Sequence, residues 1–176
     1  MSLKPKILIA DDSAMNRAIL VEMLGDGYDV IEAENGREAV RALQSAPEID
    51  LLLLDIMMPE MDGFEVLKQM KHYGWIEDIP VIMISAENGS AYVERAYDLG
   101  ATDFISRPFD MAIVRRRVTN TLMLYTKQQQ LVGLVTRQVY ENQKSNNLMI
   151  NILSHIVEFR NGESGAHVQH IGTLTQ

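Results

Sequence analysis

Leu51-Leu52-Leu53-Leu54-Asp55-Ile56-Met57-Met58-Pro59-Glu60-Met61-Asp62-Gly63 sets four consecutive leucines against a carboxylate and then a turn. A strand covered on both faces reads as an unbroken apolar run, and such strands belong to parallel sheets with helices on either side. Open sheets of that kind hold their ligands beyond the carboxyl ends of the strands. Asp55 therefore ends a buried strand at the edge where chemistry is done, a position suited to reactivity more than to packing. Met57, Met58 and Met61 follow as flexible gap fillers, with side chains expected to pack and not to ligate.

Outward from this stretch, short β-branched or Leu-rich runs alternate with longer amphipathic segments up to about residue 125, the pattern of repeated βα units. Strands are expected over Lys6 to Ala10, Asp29 to Ala33, Asp50 to Leu54, Pro80 to Ile84 and Asp103 to Ser106. Helices are expected over Ala14 to Leu24, Gly36 to Gln44, Gly63 to His72 and Tyr92 to Leu99, with the last starting at Asp110. Gly25-Asp26-Gly27 and Gly100 stop helices, and Pro59, Pro80 and Pro108 punctuate loops and element starts. Asp12 or Ser13 would cap the first helix, Asp62 the third and Asp110 the last. His72 and Trp75 fall at a helix end and its loop, as surface contacts without chemistry.

The 176 residues suffice for one domain with a proper core plus an appendage. A formal net charge of −8 disfavours broad attraction to nucleic acid or anionic membrane, which need a basic surface. Protein partners and cations fit better. The absence of cysteine excludes disulfides, thiolate metal sites and cysteine nucleophiles. No stretch approaches the roughly 20 apolar residues that span a bilayer, and the N-terminus lacks a signal-peptide hydrophobic region, so a cytoplasmic protein is expected.

In a sheet wound this way Asp11 and Asp12 follow the first strand, Asp55 ends the third, Ser85 ends the fourth and Arg107-Pro108 follows the fifth, all on one edge. Converging carboxylates repel one another unless a cation neutralises them, and oxygen ligands suit Mg²⁺ or Mn²⁺. Asp55 could then act as a nucleophile toward a phosphoryl group, with Ser85 donating to one phosphoryl oxygen and Arg107 pairing with another.

These residues, in this order and spacing, resemble the receiver domain of two-component response regulators over about residues 5 to 125. The likeness rests on Asp11-Asp12, on Asp55 through Gly63, on Ser85-Ala86 and on Phe104-Ile105-Ser106-Arg107-Pro108-Phe109. It implies a doubly wound, flavodoxin-like α/β fold with five parallel strands in the order 2-1-3-4-5. It also implies that a sensor histidine kinase donates the phosphoryl group to Asp55, with Mg²⁺ held by Asp11, Asp12, Asp55 and the main-chain carbonyl of Met57. Ser85 and Phe104 would be the switch residues, one moving toward the phosphate and the other turning inward. One position departs from the family, which has lysine where this chain has Arg107. Arginine is longer, planar and bidentate, so the exchange is not conservative by default. It leaves a rival reading open, a receiver-fold interaction module that works without phosphorylation.

From about Met111 to Val157 the chain becomes one long Gln/Asn-rich helical pattern, interrupted only by Gly133. A seven-residue repeat places Thr121, Gln128, Val135, Asn142 and Met149 on one seam position and Leu124, Leu131, Gln138, Ser145 and Ile152 on the other. Residues 126–157 thus read either as a helical connector that pairs two chains in parallel or as a solvated linker helix. Beyond it, Phe159 to His167 suggests a helix break and the start of a new helix. Glu158-Phe159-Arg160, Gly165 and His167 resemble the opening of the HD-GYP domain, a metal-dependent phosphodiesterase family acting on cyclic di-GMP. Glu163 and His167 are four apart and would share a helix face as early metal ligands. The His-Asp and Gly-Tyr-Pro motifs that name that family do not occur in the chain. The chain itself is therefore expected to be no enzyme, with residues 158–176 as the start of an output domain of the parent protein.

Overall fold

The apolar runs form a five-stranded parallel sheet in the order β2-β1-β3-β4-β5. The computed structural model describes residues 4–45, 48–86 and 90–172, with side-chain surroundings through residue 156 apart from 90. It falls into two compact units, Met1–Thr126 and Lys127–Gln176. Strands β1 (Lys6–Ala10), β2 (Asp29–Ala33), β3 (Leu51–Asp55), β4 (Val81–Ser85) and β5 (Asp103–Ser106) alternate with α1 (Ala14–Leu24), α2 (Gly36–Ser45), α3 (Gly63–His72), α4 (Trp75–Asp78) and α5 (Ser90–Asp98). The last helix, α6, spans Met111–Gly172.

Alternation along the strands divides the core in two. Leu8, Ala10, Leu52, Leu54, Val81 and Met83 face α2, α3 and α5 through Ala39, Leu43, Phe64, Leu67, Met70 and Ala96. Ile7, Ile9, Leu51, Leu53, Ile82 and Ile84 face α1 and the start of α6 through Leu20, Leu24, Val114 and Val118. Since both faces are covered, β3 and β4 are buried at every position.

Two strands run one residue later than their apolar runs suggest. Asp50 stays outside β3, its carboxylate accepting from the Lys6 N–H at 2.7 Å, while Asp55 joins the ladder opposite Ile84. Ser13 caps α1, and Asp62 forms a full capping box with Glu65 at the start of α3. The Asp110 carboxylate accepts from the Ile113 N–H at 3.0 Å as α6 begins.

Trp75 opens the short helix α4, packs against the core and stacks on Tyr73 at 4.7 Å between ring centroids, so it is not a plain surface contact. Met58 and Met61 pack as expected, but the Met57 side chain is exposed because the chain turns outward there. Thr121 is buried within the first unit and is not available to a helical seam. The helix break expected between Phe159 and His167 is not found, and the α6 backbone runs through Gly162 and Gly165. Without proline every N–H stays available to the helix, and each glycine costs only about 1 kcal/mol. The Glu163 and His167 side chains lie outside the described residues. Among the described residues no helix is long and apolar enough to cross a membrane.

Candidate functional site: an acidic pocket closed by Arg107

The sheet register builds the site. Ala10 pairs with Leu54 across β1 and β3, so Asp11, the next residue, emerges beside Asp55. Asp55 pairs with Ile84, which brings Ser85 one step beyond it, and Ser85 pairs with Ser106 immediately before Arg107. The β1–β3 neighbourhood is also where the winding reverses, since the chain runs from β1 outward to β2 and returns to β3, and such a reversal opens a crevice at the strand ends.

One carboxylate oxygen from each of Asp11, Asp12 and Asp55 lies within 4.8 Å of the others. Asp11 and Asp55 are buried and Asp12 is exposed. Asp11 is richly held. It accepts from the Ser13 N–H at 2.9 Å, from Asn16 Nδ2 at 3.1 Å and from Arg107 Nη2 at 2.6 Å. Asp55 is the opposite case, because no well-aligned hydrogen bond reaches either of its buried oxygens among the described residues, although the Arg107 side chain and the Met57 backbone N–H are close enough to favour its ionised form. Arg107 Nη2 lies 3.0 Å from Asp55 Oδ2, an ion contact not directed as a hydrogen bond.

Burial pushes the Asp55 carboxyl up to about 6 from its ordinary 3.8. Arg107 pulls against that shift, and the negative charge of Asp11 adds to it. For Arg107 burial opposes the charge, but Asp55 and Asp11 outweigh it and hold the guanidinium above its ordinary value. One arginine thus spans the two buried carboxylates, with its ring-side neighbour Phe109 5.9 Å away in cation–π range.

Ser85 is buried at the end of β4, and its carbonyl accepts from the Arg107 N–H at 2.9 Å. Phe104 lies on β5, two residues before Ser106. It is half-buried and lines a cavity of about 270 Å³ with Val93, Tyr97, Ile113 and Arg117. The backbone of Asp55 is fixed by close packing with Gly63, where a Cβ would meet the Asp55 carbonyl oxygen at 2.3 Å and the Ile56 Cα at 3.0 Å. Gly63 also donates its N–H to the Ile56 carbonyl at 2.9 Å. Glycine at this point lets α3 begin directly against the end of β3.

Two residues near the pocket escaped the reading of the sequence, Asn16 and Arg17. The buried face of α1 is Arg17, Leu20 and Leu24, so a cation occupying the apolar 3-4 spacing was the available signal. Arg17 donates to the Asp11 carbonyl at 2.9 Å and pairs with Glu32 at 2.9 Å and Glu34 at 3.3 Å.

Residues 7–119 match the model of the response regulator receiver domain. A probable cyclic di-GMP phosphodiesterase of Vibrio cholerae is 33% identical over 169 residues, which is 92% of this chain but 38% of that protein. The rice two-component response regulator ORR5 is 34% identical over 119 residues, covering 67% of this chain and 89% of its own. Among solved structures, the chemotaxis response regulator CheY4 of Vibrio cholerae superposes with a TM-score of 0.62 at 30% identity, over 66% of this chain and 98% of its own. The chain therefore spans well under half the length of the Vibrio phosphodiesterase, while its match covers nearly all of the CheY4 chain. With a parallel 2-1-3-4-5 sheet, an acidic cluster at its carboxyl edge and this match, the chain belongs to the response regulator receiver domain family.

Proposed function

We propose that Asp55 accepts a phosphoryl group from a sensor histidine kinase and that the change is relayed to an output domain. The reading is carried by Asp55 itself, a buried carboxylate whose oxygens receive no well-aligned hydrogen bond, set against Asp11, Asp12 and the Arg107 guanidinium. With a pKa of about 6 it is mostly ionised at neutral pH and available as a nucleophile. One Asp55 oxygen forms a bond to phosphorus as the P–N bond of the donor phosphohistidine breaks. The electron pair and a proton go to the imidazole nitrogen, and an acyl phosphate remains. Ser85 donates to one phosphoryl oxygen, Arg107 pairs with another, and Phe104 turns inward as the second half of a two-state switch.

The all-oxygen donor set, with Asp55 oxygens that receive no well-aligned hydrogen bond, fits a hard divalent cation. Asp11, Asp12, Asp55 and the main-chain carbonyl of Met57 would hold Mg²⁺ or Mn²⁺. When bound, the ion supplies charge neutralisation between carboxylates and phosphoryl oxygens. The test is incubation with a small phosphodonor such as acetyl phosphate and Mg²⁺, read by intact mass. An adduct that disappears in Asp55→Asn is expected, and no Asp55-dependent adduct overturns phosphorylation.

The contact of Arg107 with both Asp11 and Asp55 favours a second reading, an interaction module whose acidic pocket is neutralised internally and signals without phosphate. Equal self-association with and without phosphodonor, measured by sedimentation, selects it. In either reading residues 126–157 connect a receiver at 5–125 to an output domain opening at 158–176. Leu131, Val135, Met149 and Ile152 are exposed on that connector and supply the apolar part of a parallel homodimer seam. The Vibrio relative points to a cyclic di-GMP phosphodiesterase as the parent's output, of the HD-GYP type, in the cytoplasm. Glu163 and His167 would be among its metal ligands. Hydrolysis of cyclic di-GMP by the intact parent, compared with and without phosphodonor, tests that output and its regulation.

A further inference from the structure

Arg17 is a buried cation inside an otherwise apolar helix face, and it does not touch the Asp55 carboxylate or Arg107. Its three nitrogens are distributed. Nη1 donates to the main-chain carbonyl of Asp11, Nε to Glu32 at the end of β2, and Nη2 to Glu34 just beyond it. The Asp11 N–H donates in turn to the Ala33 carbonyl at 3.2 Å. The peptide units on both sides of Asp11 are thus tied to the β2 end, one by the strand and one by Arg17. Lysine could not reproduce the arrangement, since its single ammonium lacks the planar fork that reaches three acceptors.

We infer that Arg17 is a positioning residue for the divalent-cation site: it holds the Asp11–Asp12 main chain so that both carboxylates face Asp55. The inference rests on the metal reading given above. Its electrostatic alternative predicts the opposite sign. Removing a cation near three carboxylates strengthens cation binding if charge alone matters, whereas removing the tie that orients Asp11 weakens it. Loss of a group that orients metal ligands costs about 10–100-fold in affinity. The ion pairs with Glu32 and Glu34 neutralise those carboxylates and let Arg17 stay charged under the β1–α1 loop, but it is the bond to the Asp11 carbonyl that sets the site.

The test counts bound Mn²⁺ by the electron paramagnetic resonance signal of the free ion, with folding checked by circular dichroism. Arg17→Met, which keeps the apolar stem, should bind Mn²⁺ about 10-fold more weakly than the unaltered chain. Glu32→Gln with Glu34→Gln removes the ion pairs and leaves Arg17 in place, and should bind within about twofold of it. Arg17→Lys, the milder change should Arg17→Met not fold, should also bind more weakly. Equal or tighter Mn²⁺ binding by a folded Arg17 variant overturns the proposal, as does an equal loss in the double glutamine variant. A lack of Mn²⁺ binding by the unaltered chain overturns the metal reading itself.

Discussion

Replacing Asp55 by asparagine should change the pH dependence of stability, and the change can be worked out from the site. In metal-free buffer the folded chain keeps the Asp55 proton up to about pH 6, while in the unfolded chain the group titrates near 3.8. Between those values the folded state binds more protons than the unfolded state, so stability falls as pH rises through the window. A displacement of about 2 units at 1.36 kcal/mol each makes the loss about 3 kcal/mol. Asn does not titrate, so the advantage of Asp55→Asn over the unaltered chain should grow by about 3 kcal/mol between about pH 4 and about pH 7. The other carboxylates titrate in both proteins, and the difference isolates Asp55. Urea unfolding followed by circular dichroism, at half-unit pH steps with a chelator, measures it. A difference that stays flat across the window, or that shrinks as pH rises, refutes the claim that burial dominates the electrostatics of Asp55. Saturating Mg²⁺ should reduce the difference, since a bound cation favours the ionised carboxylate.

Three further outcomes follow from the surroundings of the pocket. Arg107→Gln removes the charge that pulls Asp55 down, so the Asp55 carboxyl should titrate higher than in the unaltered chain, read from its carbon-13 chemical shift against pH. Gly63→Ala drives a Cβ into the Asp55 carbonyl oxygen at 2.3 Å, and should cost roughly 1–3 kcal/mol in urea unfolding while lowering phosphodonor labelling; a fully labelled, equally stable variant contradicts it. Asp62→Ala breaks the capping box at α3 and should cost about 1 kcal/mol without abolishing labelling, as measured by thermal unfolding and intact mass.

The fold was legible because its strands obey a strong rule. A run such as Leu51 to Leu54 can be unbroken only if both faces are covered, and the caps at Ser13, Asp62 and Asp110 marked where helices begin. Strands β3 and β4 lie one residue later than their apolar runs because the end of a parallel strand depends on its neighbour's register, here Asp55 opposite Ile84. Trp75 packs against the core, contrary to its loop-like local sequence, for a related reason. Burial of a four-residue helix is decided by the core beneath it and leaves no periodicity in the chain.

By itself the sequence determined that carboxylates, a hydroxyl and a cation gather at one sheet edge, because residues just past the ends of parallel strands have nowhere else to go. It could not say how they divide their contacts. Only the tertiary structure decided that Asp11 is saturated with hydrogen-bond donors while Asp55 receives no well-aligned one, and that Arg107 forms ion contacts with both. It alone turned Arg17 inward beneath the Asp11 carbonyl. Such assignments depend on distances between segments far apart in the chain, Arg107 and Asp11 among them, and on which partner wins a buried charge once water is excluded.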